Sequence, residues 1–235
     1  MADTITIPAR FNGPPRSANG GYTCGLVAGL LGGGSAQVAL RSPPPLERPL
    51  AVRREHDTVE LRNGETLVAE GRATRLELEA PAPVGVDEAE AASLAGLENW
   101  AAHHPFPTCV VCGPERAAGD GFRVFPGALP DRRGLHAAVW TPAGTAPECV
   151  WAALDCPTSA PVANFEAGPA IVLARLAARI DAPVQDGTPH VVMSWPLGSE
   201  GRKRHAGAAL FSAQGARVAV ARALWIELKG PAEGG

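Results

Sequence analysis

Asn19-Gly20-Gly21-Tyr22-Thr23-Cys24-Gly25-Leu26-Val27-Ala28-Gly29-Leu30-Leu31 is the stretch whose reading decides the fold. From Gly20 to Gly34 glycine and alanine recur, which lowers intrinsic helix stability but lets a helix come close to other backbone. A helix of this kind persists only when buried. Asn19 stands where an N-cap belongs, and Gly32-Gly33-Gly34 ends the helix because glycine accepts left-handed geometry.

Outward from this helix the pattern changes to strands. Before it, Thr4-Ile5-Thr6-Ile7 alternates and gives way to a turn at Phe11-Asn12-Gly13-Pro14-Pro15. After it come strand-like runs at 36–41, 50–54, 58–62 and 65–79, with a proline corner at Pro43-Pro44-Pro45 and a hairpin turn at Asn63-Gly64. The layout then recurs: an opening strand at 135–141, a helix at 148–164, and strands at 170–180, 190–195, 203–212 and 217–228. Asp181-Ala182-Pro183 and the turn at 198–201 break the run. Segments 64–73 and 215–223 are the clearest match between the copies. A repeat of half the chain points to duplicated units rather than a solenoid. The expected organisation is an N-terminal unit over 1–80, a connector over 81–134 with an acidic helical patch at 87–100, and a C-terminal unit over 135–235.

Composition narrows the function classes. Hydrophobic residues make up 46% of the 235, which suits a globular core and excludes intrinsic disorder. The net charge is −3, with arginines scattered among acids, so the chain lacks the electrostatic footprint of a nucleic-acid binder. No apolar run is long enough to span a bilayer, and the first ten residues carry neither a charged n-region nor an apolar h-region. The expectation is a cytoplasmic protein with no membrane partner. Five cysteines do not make the dense even framework of a small secreted domain, so free thiols are expected.

A sheet wrapped around a central helix, duplicated in one chain, resembles the double-hotdog acyl-CoA thioesterase-like proteins of the thioesterase-like superfamily. The resemblance rests on Asn19-Gly20-Gly21-Tyr22 at a helix start, the proline corner, the segment from Gly64 to Arg72, Ala153-Leu154-Asp155, and Ser212-Ala213-Gln214-Gly215. It implies an α+β fold of two tandem hotdog units, each an antiparallel sheet around one helix. It also implies an acyl-CoA or acyl-carrier thioester as partner, and it is compatible with a homo-oligomer. In that family an Asp on the second helix works with a Ser or Thr on the next strand and a Gln on a later one to place the attacking water. Asp155 matches the first, whereas 170–175 has no hydroxyl and 220–224 has no Gln. A non-catalytic thioester-binding or structural protein of the same fold is the alternative. A dehydratase is a third, for which no Asp and His pair stands at the spacing that hydratases of this fold use.

Asp155 lies in the apolar run Trp151-Ala152-Ala153-Leu154-Asp155, where desolvation raises a carboxyl pKa and suits acid–base work. It also reads as a turn residue, since Cys156-Pro157-Thr158-Ser159 follows. Thr158 and Ser159 are candidate substitutes for the missing hydroxyl, so the catalytic set expected is Asp155, Thr158 and Ser159. Asn19, Gly20, Gly21 and Tyr22 are the expected substrate-binding set, with free backbone N–H groups aimed at the thioester oxygen. Cys109-Val110-Val111-Cys112 has the spacing of half a zinc site, for which His103, His104, His136, Cys149 and Cys156 could in principle supply the rest. Without a second CxxC it reads as a pair of buried structural thiols, with no metal and no other cofactor. Arg202-Lys203-Arg204-His205 reads as a solvated hairpin turn or a coenzyme A phosphate site, and Trp140, Trp151, Trp195 and Trp225 as core or pocket wall.

Overall fold

Alternation of apolar and polar side chains draws both halves of the chain into antiparallel strands. The computed structural model describes residues 3–229; residues 1–2 and 230–235, the outer ends of the two expected units, lie outside the described residues. In the first half, β1 (Thr4–Thr6), β2 (Ser35–Leu40), β3 (Pro49–Glu55), β4 (Thr58–Asn63) and β5 (Thr66–Ala73) follow and flank the helix α1 (Gly20–Leu30). In the second, β8 (Ile171–Ile180), β9 (His190–Glu200), β10 (Lys203–Ser212) and β11 (Arg217–Glu227) follow α3 (Pro147–Asp155). Between them lie α2 (Val86–His103), β6 (Gly127–Ala128) and β7 (His136–Trp140).

The strands form one sheet in the order β1-β3-β4-β5-β2-β8-β11-β10-β9-β7-β6. The two halves join where β2 runs antiparallel to β8, with Ser35 opposite Arg179 and Ala39 opposite Arg175. Each half wraps its share of the sheet around one helix, as expected of two hotdog units. Alternation does the sorting: Ala36 and Val38 of β2 and Val59 and Leu61 of β4 point into the core. β9 is buried on both faces from His190 to Trp195 because α2 and the segment near Leu76 cover the outside of the second half.

Three elements depart from the sequence expectation. The helix expected over 148–164 stops at Asp155 and tightens into a 3-10 turn over Cys156–Ser159, since Pro157 has no N–H to give an α-helix interior. The strand expected over 65–79 ends at Ala73, where the chain leaves the sheet so that Leu76 packs on the outer face of the second half. The strand expected over 190–195 runs on to Glu200, and Pro196 is accommodated beside a register shift of the β9–β10 pair. None of the helices among the described residues is long and apolar enough to cross a membrane.

The two central helices pack directly on one another, and glycine makes this possible. A Cβ on Gly21 would sit 2.4 Å from Asp155 Cβ and 2.8 Å from the Trp151 carbonyl oxygen, and one on Gly25 would sit 2.5 Å from Glu148 Cα. Residues four apart share a helix face, so these two glycines form the groove that α3 fills. We expect Gly25→Ala, which adds one methyl group away from the cavity described below, to destabilise the fold by about 2 kcal/mol or more. For a chain of this size that lowers the melting temperature by roughly 5 °C. Thermal unfolding followed by circular dichroism checks it; an unchanged melting temperature would mean that the helices separate without cost.

Candidate functional site

The start of α1 and the end of α3 meet on the wall of a cavity of about 1170 Å³. Its apolar wall includes Leu40, Trp100, Phe106, Phe165, Leu173 and Trp225, while Asn19, Gly20, Asp155 and Ser159 supply polar groups. A cavity of this kind, mostly apolar with a few convergent polar groups, is the usual form of a small-molecule site.

The helix start fixes the polar groups. Asn19 Oδ1 accepts the Tyr22 N–H at 2.8 Å, which caps α1, and Asp155 Oδ2 accepts the Gly21 N–H at 2.8 Å. Of the first turn, the Gly20 N–H has no acceptor among the described residues, and Gly20 lines the cavity. Asp155 is 2% exposed, and burial raises its pKa to about 7 against the lowering effect of the Gly21 N–H. The Asn19 amide stands close enough to favour the charged carboxylate, but its N–H groups are directed elsewhere, and Asp155 Oδ1 receives no hydrogen bond from a described residue.

Those Asn19 N–H groups face sulfur. Nδ2 lies 3.8 Å from Cys109 Sγ and 3.6 Å from Cys156 Sγ. Cys109, Cys112 and Cys156 are all buried, and their sulfurs lie within 4.8 Å of one another. Hydrogen bonds from Cys112 and Cys156 hold the Cys109 thiol well below its usual pKa, while burial pushes Cys112 up. His104 adds its imidazole at 3.1 Å from Cys112 Sγ, and burial lowers its pKa to about 4, so the ring is neutral. The sequence reading named Cys156 and His104 only among several candidates. The fold selects them: the 3-10 turn after α3 delivers Cys156, and the end of α2 delivers His104.

The other expected residues divide. Asp155, Ser159, Asn19 and Gly20 line the cavity. Gly21 lies behind it, its N–H given to Asp155. Tyr22 is buried with its ring stacked on Phe11, centroids 3.9 Å apart. Thr158 is fully buried off the cavity; its hydroxyl donates to the Asp155 carbonyl at 2.6 Å and accepts the Trp225 indole N–H at 2.7 Å. Ser159 donates to the Cys156 carbonyl at 2.7 Å. The basic run from Arg202 to His205 lies in the β9–β10 hairpin, where Arg204 pairs with Glu227 and Lys203 with Glu200, away from the cavity. The cations on the cavity wall are instead Arg16, Arg41 and Lys229, which sequence reading missed because they come from three separate segments.

No protein-family model matches the chain, and no curated protein matches it in sequence. Solved structures match its shape over most of their length. A thioesterase candidate from Novosphingobium aromaticivorans superposes with a TM-score of 0.63 at 16% identity, covering 97% of this chain and 95% of that one. The acyl-CoA thioesterase II TesB2 of Mycobacterium marinum gives 0.56 at 11% identity, covering 91% and 92%. The dehydratase domain of a mycocerosic acid synthase-like polyketide synthase gives 0.55 at 14% identity, covering 97% and 84%. The chain therefore has the double-hotdog fold of thioesterase-like proteins, a fold that also carries other chemistry.

Thr158 ties the cavity wall to the turn after α3 through Trp225. Thr158→Val leaves the buried indole N–H without its acceptor, so we expect a loss of about 1–3 kcal/mol in urea unfolding. A loss below about 0.5 kcal/mol would show that the indole finds another acceptor.

Proposed function

We propose that the protein is an acyl-CoA thioesterase-like hydrolase that binds the acyl thioester in the cavity between α1 and α3, with Asp155 as the residue that handles water. The observation that carries this reading is Asp155 Oδ1, a buried carboxylate oxygen on the cavity wall that no described residue satisfies. A water held there stands beside the start of α1, where the Gly20 N–H can take the thioester oxygen. Ser159 gives its proton to the Cys156 carbonyl, so its oxygen keeps lone pairs for a second hydrogen of that water, in place of the hydroxyl missing from β8.

The reaction then balances. Asp155 takes a proton from the water as its oxygen bonds to the carbonyl carbon, charge builds on the oxygen facing Gly20, and the carbon–sulfur bond breaks. The proton on Asp155 goes to the departing thiolate, which leaves a carboxylic acid and a free thiol. Gly21 serves by holding Asp155, and Thr158 by holding Trp225. A dehydratase is less well supported. His104, the histidine on the cavity wall, gives one ring nitrogen to Cys112 and the other to the Phe106 N–H, which leaves neither for proton transfer to substrate.

The test is thiol release from a panel of acyl-CoA substrates. Asp155→Asn can keep the bond from Gly21 while removing the base, so turnover is expected to fall roughly a hundredfold or more with binding retained. Equal turnover by both proteins removes Asp155 from the mechanism. Wild type that binds acyl-CoA without hydrolysing it is instead the non-catalytic binding protein of the alternative reading.

The exposed cations on the cavity wall give a second expectation. Arg41 is paired with Glu70, whereas Arg16 and Lys229 have no salt-bridge partner among the described residues and suit the phosphates of coenzyme A. Replacing both with Ala should raise KM for acyl-CoA by roughly fivefold and leave an acyl-pantetheine thioester, which lacks the nucleotide phosphates, unchanged. An equal rise for both substrates would mean that these side chains do not meet the nucleotide.

A further inference from the structure

We propose that Cys109, Cys112 and Cys156 bind one zinc ion as thiolates, with the fourth coordination position facing the cavity. The sulfurs come from two parts of the chain, the CxxC turn of the connector and the turn after α3, and the fold brings all three within 4.8 Å of one another. Cys109 and Cys156 Sγ are 3.8 Å apart. Two ligands at the usual zinc–sulfur length of about 2.3 Å in a tetrahedron lie roughly 3.8 Å apart, so this pair already has the span of one edge.

What surrounds the sulfurs distinguishes them from ordinary core cysteines. Each faces an N–H donor. Asn19 Nδ2 points at Cys109 and Cys156, 3.8 and 3.6 Å from their sulfurs. The Phe106 N–H donates to His104 Nδ1 at 2.8 Å, so the neutral ring carries its proton on Nε2 and donates it to Cys112 Sγ. His104 is therefore a positioning residue and not a ligand. N–H donors of this kind stabilise thiolates and orient metal ligands from outside the coordination shell. Cys24 is the contrast: it is as deeply buried, yet no hydrogen bond to its sulfur is found among the described residues.

The CxxC turn is built for this purpose. Gly113 donates its N–H to the Cys109 carbonyl at 2.8 Å, and a Cβ there would lie 2.5 Å from Cys109 N and O. Glycine thus closes the loop tightly enough to turn both sulfurs inward. Among the described residues no fourth cysteine or ring nitrogen joins the three sulfurs, and Asp155, whose Oδ1 is unsatisfied, lines the same cavity, so a water suits the fourth position. Three thiolates select a soft or borderline ion, and zinc needs no redox partner to stay there. This proposal departs from the sequence expectation of metal-free structural thiols, since the third sulfur comes from Cys156, far from the CxxC in sequence.

The test counts metal without substrate, so it stands or falls apart from the thioesterase reading. Full-length protein from zinc-supplemented culture should carry about one zinc per chain by elemental analysis, with Cys112→Ser and Cys156→Ser losing it. His104→Phe keeps a ring packed against Trp100 and Phe165 but removes the donor, and should weaken zinc affinity by roughly 10–100-fold in competition with a chromophoric chelator. Cobalt(II) added to the metal-free wild type should give the sulfur-to-cobalt charge-transfer and intense visible bands of a tetrahedral thiolate site. That measurement decides the question even if a serine variant fails to fold. Wild type without these bands, a disulfide within the three cysteines of freshly isolated protein, or iron or copper at them in place of zinc would each overturn the proposal.

Discussion

The hydrogen bond from the Gly21 N–H to Asp155 Oδ2 is the contact on which the rest of the structure depends. It forms only because neither Gly21 nor Gly25 has a side chain, so α1 and α3 come into backbone contact and the start of one helix meets the end of the other. Helix direction makes this meeting electrostatically sensible. The C-terminal end of α3 disfavours a carboxylate, and the N-terminal end of α1 favours one. Asp155 belongs by sequence to the unfavourable end and by hydrogen bond to the favourable one.

This constraint explains why one cavity wall holds so much polar chemistry. Two helices wrapped by the two halves of one sheet would otherwise meet through apolar side chains. Glycine at the crossing removes that cover and brings Gly20, Asp155 and the turn after α3 to the same space. The turn matters as much as the helices. Pro157 forces the 3-10 winding, which points Thr158 back at Trp225 and brings Cys156 round toward the connector.

The fold was legible because its signals are local. Period-two alternation, the Asn63-Gly64 turn and the glycine-rich helix each decide their own element, and the repeat decides how the elements combine. The site was legible only in part. Asn19 and Asp155 stood out through cap chemistry and apolar setting, but nothing near Thr158 in sequence tells that its hydroxyl is taken up by Trp225, 67 residues away. The cysteine cluster was least legible. Cys109 and Cys156 are 47 residues apart with two short strands and a helix between, so their meeting is a property of the fold and not of any motif. Of the two readings of Arg202 to His205, the hairpin turn is the one the fold holds, with Lys203 paired to Glu200 and Arg204 to Glu227.

Asn19 shows how tightly these demands are joined. A cap needs only an acceptor, and Ser, Thr or Asp would serve α1 as well. The amide does more because its two ends differ. Oδ1 is fixed by the Tyr22 N–H, so Nδ2 must point the other way, toward Cys109 and Cys156. A carboxylate in its place would cap the helix while setting a negative charge against two sulfurs that accept hydrogen bonds, and a hydroxyl would not reach them. Of the good caps only asparagine offers an acceptor to the helix and a donor to the sulfurs at once. The residue that begins the fold's central helix is thereby the same one that orients the chemistry of its cavity.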